Sequence, residues 1–128
     1  KTHVMHFTSS RPLPTSPVLI ASNPIETEKS TMFLGIKIDP KLRWDQHIAM
    51  IKRKISKSIG AISKIKYLLE VSTLKTLYYA FVCPYLFYCI DVWRKAARCH
   101  LNSLIKAQKL CCRIILNAHP RSESSPTI

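Results

Sequence analysis

The sequence predicts an α+β fold in which short antiparallel β-strands near the N-terminal end precede a mainly α-helical bundle of three helices. Two observations indicate this class. Between Met32 and Asp39, apolar residues tend to occupy every second position, whereas after residue 45 they recur every three or four positions. A chain of 128 residues with 47% hydrophobic residues and only two glycines can also bury a core.

Three short segments of the N-terminal region are predicted to be strands. Thr2–Thr8 and Val18–Ala21 are short apolar runs, and the proline-containing segment 9–17 is predicted to be the loop between them. Met32–Asp39 alternates more cleanly, which is typical of a half-buried strand. This strand should end before Pro40, because proline restricts the preceding residue and cannot donate a ladder hydrogen bond.

The longest predicted helix begins at Asp45, which we expect to be its N-cap because a carboxylate can accept from the free N–H groups of the first turn. Its apolar stripe consists of Ile48, Ile51, Ile55, Ile59, Ile62, Ile65 and Leu69. Gly60 lies within this helix and weakens it by about 1 kcal/mol relative to alanine. We therefore expect Gly60 to allow the close approach of a neighbouring element.

Two further helices follow. The second helix should begin near Ser72 or Thr73 and be broken or kinked at Pro84. The third should run from His100 to about Leu116. Its predicted apolar stripe consists of Leu101, Leu104, Ile105, Gln108, Cys112 and Ile115.

These elements divide the chain into three parts. Residues 1–42 hold the strands, residues 43–117 form the helical domain, and residues 118–128 are a loop or a truncated tail. The uncharged run Thr76–Ile90 has fifteen residues and contains Pro84. It is therefore shorter than the roughly 20 residues needed to span a bilayer, and we expect no membrane partner.

The charge balance predicts a polyanionic partner. Twenty Lys and Arg residues face seven Asp and Glu residues, which gives a net charge of +13, and nucleic acid is the polyanion that we expect. Six Lys and Arg residues and no acid lie between Asp45 and Glu70. A helix that needs only solubility usually intersperses glutamates for ion pairs, whereas a face that follows phosphates needs uncompensated cations.

At about 100° per residue, Arg53, Lys57 and Lys64 lie in a narrow arc opposite the isoleucine stripe, flanked by Lys52 and Lys54. The residues that we predict to bind nucleic acid are Lys52, Arg53, Lys57 and Lys64. A solvated lysine face is the alternative interpretation of this pattern.

The aromatic and cysteine residues are predicted to be structural. The aromatic cluster consists of Tyr78, Tyr79, Phe81, Tyr85, Phe87, Tyr88 and Trp93. It could stack on bases, but we expect core packing with one or two exposed tyrosines. The candidate metal ligands Cys83, Cys89, Cys99, His100, Cys111, Cys112 and His119 include no Cys-x-x-Cys pair, so no metal site is expected. Five cysteines without a disulfide-rich pattern favour reduced thiols and an intracellular location, nuclear or cytoplasmic.

No catalytic residue is predicted. Two-metal phosphoryl transfer needs carboxylates that gather two Mg²⁺ ions. The three aspartates, Asp39, Asp45 and Asp91, are separated in the sequence and include no Asp-Asp pair. We therefore expect neither enzymatic activity nor a cofactor in this chain.

One run of landmarks resembles a known family. It comprises Phe33-Leu34-Gly35-Ile36-Lys37-Ile38-Asp39, Trp44, His47-Ile48, Gly60, Leu77-Tyr78, Pro84-Tyr85-Leu86 and Trp93. Their order and spacing resemble the stretch that follows the catalytic centre of non-LTR (LINE-type, jockey-like) retrotransposon reverse transcriptases. The resemblance spans roughly Lys1 to Ile115.

The resemblance implies a primer grip at Phe33, Leu34 and Gly35, which is the hairpin that holds the 3′ end of the growing strand. It implies that the helices form a thumb that grips the template–primer duplex. It further implies that the paired catalytic aspartates lie upstream of Lys1. The chain would then be a fragment of an RNA-directed DNA polymerase, its strands a remnant of the missing palm, and Mg²⁺ would belong to the parent enzyme.

Two other classes of protein fit part of the pattern. The first is a small basic helical protein that binds RNA or a protein partner and is unrelated to polymerases. The second is a helical protein of the membrane surface. An Asp-Asp pair shortly upstream of Lys1 would favour the polymerase, whereas an initiator methionine close by would favour the small protein.

Overall fold

The structure, a computed structural model, describes residues 3–7 and 17–117. Two antiparallel hairpins precede the helices, which confirms the α+β class. The strands are β1 Val18–Ile20, β2 Asn23–Ile25, β3 Thr31–Phe33 and β4 Ile36–Ile38. The helices are α1 Asp45–Ile65, α2 Val71–Phe81, α3 Cys83–Phe87, α4 Ile90–Trp93 and α5 Arg98–Ile115. The chain forms two compact units, of which the first ends at His47 and the second begins at Ile48.

The first hairpin confirms the strand predicted near Val18. β1 and β2 pair in antiparallel register and are joined by Ala21 and Ser22, both with positive φ. The predicted strand Thr2–Thr8 is wrong for its described part, where only Val4 forms an isolated parallel bridge. Apolar residues do not alternate along this segment, so it offers no continuous apolar face to a neighbouring strand. The predicted loop 9–17 lies outside the described residues except for its last position.

The second hairpin corrects the prediction of one strand over Met32–Asp39. β3 pairs with β4 through a turn at Leu34 and Gly35, whose φ angles are 46° and 78°. Positive φ at both central residues suits a two-residue hairpin turn, because its twist matches that of the strands. Phe33 pairs directly with Ile36, so these two side chains share a face. A single strand would have placed them on opposite faces.

The segment before α1 is held by a buried carboxylate. Asp39 is 8% exposed, and its two carboxylate oxygens accept hydrogen bonds from the backbone N–H groups of Arg43 and Trp44, each at 3.1 Å. Asp45 is the first residue of α1 and not its N-cap, which corrects the prediction. The preceding Trp44 has φ 64°, so regular helix geometry starts only after it. A carboxylate in the first turn still interacts favourably with the helix dipole.

His47 closes the first unit. Its imidazole is buried, and Nδ1 accepts a hydrogen bond from the backbone N–H of Lys37 in β4 at 3.2 Å. The rings of His47 and Trp44 meet edge to face with centroids 6.3 Å apart. These contacts connect the second hairpin to the first turn of α1.

The core of the second unit is built on α1. Five members of its predicted stripe are buried, namely Ile48, Ile51, Ile55, Ile59 and Ile62. Ile65 is half-buried and Leu69 is exposed, because α1 ends at Ile65, four residues before the predicted stripe does. The stripe is therefore confirmed over the part of it that is helical.

The last two predicted helices are confirmed with changes, but the prediction of three helices was wrong, because the described residues also form the short helices α3 and α4 between them. α2 ends at Phe81 and α3 begins at Cys83, so the helix is interrupted next to Pro84, as expected. The stripe of α5 is partly wrong, because Ile105 and Cys112 are exposed. The residues of α5 that are buried are Leu104, Ala107, Cys111 and Ile115. Ala107 and Cys111 are small, so this face can approach its neighbours closely.

No helix within residues 3–7 and 17–117 is both long enough and apolar enough to cross a membrane. The functional division into 1–42, 43–117 and 118–128 stays a prediction, and its last part lies outside the described residues.

Gly60 does not have the role predicted for it. A β-carbon built at this position meets no atom within 4 Å, apart from the local backbone of the helix itself. We therefore expect Gly60→Ala to raise the free energy of unfolding by about 1 kcal/mol, the difference between the two helix propensities. Ala49→Gly, at an exposed site of the same helix, should lower it by a similar amount. Urea unfolding followed by circular dichroism measures both changes, and a destabilised Gly60→Ala would contradict the open surroundings.

Removing the Asp39 carboxylate should destabilise the chain, because two backbone N–H groups would be left without their acceptors. We expect Asp39→Ala to lower the free energy of unfolding by about 1–3 kcal/mol. Asp39→Asn, which keeps one acceptor oxygen, should have a smaller effect. The control is Asp91→Ala, since the Asp91 side chain is 88% exposed and should contribute little. Equal effects of the two alanine variants would refute the role of Asp39.

Candidate nucleic-acid interface

The basic residues predicted to bind nucleic acid share one helix. Lys52, Arg53, Lys57 and Lys64 all lie on α1, and all four are exposed. At about 100° per residue, Arg53, Lys57 and Lys64 fall within an arc of about 40°, directly opposite the buried isoleucines. The packing of the stripe therefore turns this arc to solvent. Lys52 lies to one side of the arc.

The face is electrostatically uncompensated. In the part of the chain that the structure describes, the ion pairs join His3 to Glu28 and Arg94 to Asp91, and neither involves α1. The positive charges of the face therefore repel one another. An approaching polyanion would relieve that repulsion.

Two other lysines of this region are held by their neighbours. The Nζ atom of Lys54 lies 5.4 Å from the ring centroid of Tyr85 on α3. Lys66 Nζ donates to Asn117 Oδ1 at 3.2 Å and lies 4.6 Å from the ring of Tyr67. Neither lysine belongs to the narrow arc, so the predicted set does not include the lysines that the protein itself engages.

The dimensions of the face suit a nucleic-acid backbone. With a rise of 1.5 Å per residue, Arg53 and Lys64 are separated by about 16 Å along the helix. One strand of B-DNA carries a phosphate about every 3.4 Å of duplex axis. The arc is therefore long enough for its three cations to reach separate phosphates.

The three residues predicted to form the primer grip lie together at the tip of the second hairpin. Phe33 ends β3, and Leu34 and Gly35 form the turn. The side chains of Phe33 and Leu34 are 61% and 72% exposed. They belong to the first unit, whereas the basic face belongs to the second.

The aromatic cluster is far more exposed than predicted. Of its members only Trp93 is buried, and the structure exposes Tyr79, Phe81, Tyr85, Phe87 and Tyr88. The expectation of core packing was wrong because the helix through this segment is interrupted at Val82 and again at Cys89, which has φ 50°. A single helical period therefore does not run through the cluster, and smaller residues such as Val82 and Leu86 fill the core instead.

Tyr78 is half-buried and contacts α5. The side-chain amide of Gln108 donates to the Tyr78 hydroxyl at 2.9 Å. Burial raises the pKa of Tyr78 to about 12, although the bond from Gln108 acts in the opposite direction. The phenol therefore stays protonated at neutral pH and cannot serve as a general base there.

The candidate metal ligands are dispersed. Cys83 and Cys111 are buried, whereas Cys89, Cys99 and Cys112 are exposed. Residues 3–7 and 17–117 contain no group of three His, Cys, Asp or Glu side chains that could hold a metal ion. His119 lies outside the described residues. Among the aspartates, Asp39 accepts hydrogen bonds from backbone N–H groups. The Oδ1 atom of Asp91 lies 3.6 Å from Nε of Arg94.

A cleft between α1 and α5, lined by both polar and apolar side chains, was not predicted from the sequence. The cleft has a volume of about 430 Å³. Its polar lining residues are Lys52, Ser56, Asn102, Ser103 and Lys106. Spacing alone could place Asn102 and Lys106 on one side of α5, since they are four residues apart. Which helix that side meets follows only from the packing.

Comparison with known proteins returns no match to this chain among family models, curated proteins or solved structures.

The buried thiol of Cys111 predicts a loss of stability at alkaline pH. Burial, reinforced by Cys112 and Cys83, raises the pKa of Cys111 from 9.0 to about 11. Above pH 9 the unfolded chain releases a proton that the native state still holds. The stability contribution of the neutral thiol is therefore fully present below pH 9 and disappears as the pH rises through about 11.

Urea midpoints measured between pH 8 and 11 should fall as the pH rises, and should fall less steeply in Cys111→Ala. The control Cys99→Ala removes an exposed thiol and should keep the original pH dependence. An unchanged pH dependence in Cys111→Ala would contradict the prediction.

Proposed function

We propose that this chain is the primer-grip and thumb segment of a non-LTR retrotransposon reverse transcriptase. It is a non-catalytic part of an RNA-directed DNA polymerase, and it holds the template–primer duplex through backbone phosphates. The observation that carries the proposal is the exposed, acid-free arc of Arg53, Lys57 and Lys64, with Lys52 beside it. The order and spacing of the landmarks from Phe33 to Trp93 are the basis for the family named in this proposal.

Phosphate contacts suit the work of a polymerase thumb. Contacts to phosphates position a duplex without reading its sequence. A polymerase must accept every sequence that it copies, so base readout would be a disadvantage. Lysine and arginine side chains that extend from one rigid helix meet this requirement, because they hold several phosphates in fixed register.

The hairpin tip is consistent with a contact at the primer end. Phe33 and Leu34 expose large apolar surfaces at a tight turn, where a folded domain standing alone has little reason to place them. In the proposed assembly the tip meets the 3′ end of the primer, and the palm of the parent polymerase supplies the catalytic aspartates and their Mg²⁺ ions.

Neutralising the basic face should weaken duplex binding. We expect the variant with Lys52, Arg53, Lys57 and Lys64 each replaced by Gln to bind an RNA–DNA hybrid roughly tenfold or more weakly. The dependence of log K on log salt should become less steep by about 0.9, the B-DNA value, for each phosphate that the variant no longer neutralises. Fluorescence anisotropy with a labelled blunt-ended hybrid across a salt series measures both quantities.

A matched control removes the same charges elsewhere. Lys29, Lys75, Lys95 and Arg98 are also three lysines and one arginine, and all are exposed. Their replacement by Gln lowers the net charge equally, so any difference between the two variants reports position. An equal decrease of affinity in both variants would show that binding depends only on net charge, and it would contradict the proposed interface.

Two further measurements test the identity of the partner and the absence of catalysis. Binding to single-stranded RNA in clear preference to the hybrid would favour the small RNA-binding protein. Primer extension by the isolated chain would contradict its non-catalytic role.

A further inference from the structure

The cleft between α1 and α5 combines cations, neutral donors and an apolar wall. Lys52 and Ser56 project from α1, and Asn102 and Lys106 from α5. No acidic residue lines the cleft, so a negative group that enters it meets no like charge. The lining of this cleft is therefore chemically suited to an anion.

The donors of the cleft are available. Within residues 3–7 and 17–117, none of the side chains of Lys52, Ser56, Asn102 and Lys106 takes part in a hydrogen bond or ion pair with the protein. Ser103 differs, because its hydroxyl donates to the His100 carbonyl at 2.6 Å. Four donor groups on two walls thus remain for a ligand.

The size and the apolar residues of the cleft limit the classes of ligand that fit it. Ile59, Ala107 and Leu110 also line it. A volume of about 430 Å³ lies within the range of small-molecule sites, roughly 300–1,000 Å³. One nucleotide, with an anionic phosphate and a less polar sugar and base, matches both the size and the lining.

We propose that this cleft binds one nucleotide of a single nucleic-acid strand, with its phosphate between Lys52 and Lys106 and its sugar or base against Ile59, Ala107 and Leu110. This site goes beyond the duplex-binding face and requires no polymerase ancestry. It shares only Lys52 with that face. A protein with both sites would hold a duplex on one surface of α1 and an unpaired segment beside it.

Cys99 provides a reporter inside the cleft. Cys99 is exposed and lines the cleft, whereas Cys89, which is also exposed, does not line it. A ten-nucleotide oligouridylate should slow the alkylation of Cys99 by a maleimide and leave Cys89 unaffected. Peptide mass spectrometry of the full chain reads both sites in one sample. Unslowed alkylation of Cys99 at saturating oligouridylate overturns the proposal.

A matched pair of variants locates the phosphate. Lys106→Gln should abolish the protection of Cys99 and reduce the salt slope of oligouridylate binding by about 0.7, the value for one single-strand contact. Lys109→Gln, an exposed site on the same helix outside the cleft, should change neither. Equal effects of the two variants would overturn the assignment of Lys106.

Two further probes separate the possible outcomes. If inorganic phosphate protected Cys99 to the same extent as the oligonucleotide, the cleft would be a simple anion site. That result would overturn the assignment of a nucleotide. Protection by a blunt-ended RNA–DNA hybrid equal to that by the single strand would overturn the preference for an unpaired strand. Loss of hybrid binding in a variant with Arg53, Lys57 and Lys64 replaced by Gln tests the proposed function separately, because Lys52, Lys106 and Cys99 are intact there.

Discussion

The burial of the isoleucine stripe of α1 is the constraint on which the second unit depends. Five isoleucines are buried along one side of a single helix, and each contributes roughly 1.5–3 kcal/mol relative to exposure. Rotating α1 about its axis would expose them and bury lysines. The stripe therefore fixes the rotation of the helix. The outward basic arc and the polar flank that faces α5 follow from that rotation.

The same constraint explains which features could be predicted from sequence. The stripe from Ile48 to Ile62 and the opposite arc of Arg53, Lys57 and Lys64 are both properties of one helix, so local periodicity contains them. The break next to Pro84 is also local, because the proline ring acts on its own backbone. The α+β class required only the change of period near residue 45.

Other features depend on interactions between elements. The alternation from Met32 to Asp39 runs through a two-residue turn without interruption, so the pattern resembles one strand although the chain reverses at Leu34 and Gly35. The α5 stripe was misassigned because Ile105 is more hydrophobic than Ala107, whereas packing selected the smaller residue. The role of Gly60 was misjudged because a sequence does not show whether space beside a residue is filled. The cleft between α1 and α5 has no local signature of its own.

The exposure of the aromatic cluster and that of the hairpin tip have a common explanation. A chain of this size that leaves Phe33, Phe81 and Phe87 more than half exposed has apolar surface available for contact with other molecules. Such surface is what a segment working within a larger assembly would present. It is consistent with the proposed thumb and does not depend on the charge pattern of α1.

The acid-free face of α1 also has a thermodynamic consequence for the free protein. Arg53 and Lys57 lie four residues apart on one helix, and like charges at that spacing repel by a few tenths of a kcal/mol. Dissolved ions screen this repulsion and at the same time compete for a polyanion. A higher ionic strength therefore has opposite effects on the two states of the molecule. It stabilises the unbound helix and lowers the affinity for the polyanion. The same charges that attract a polyanionic partner thereby lower the stability of the free protein.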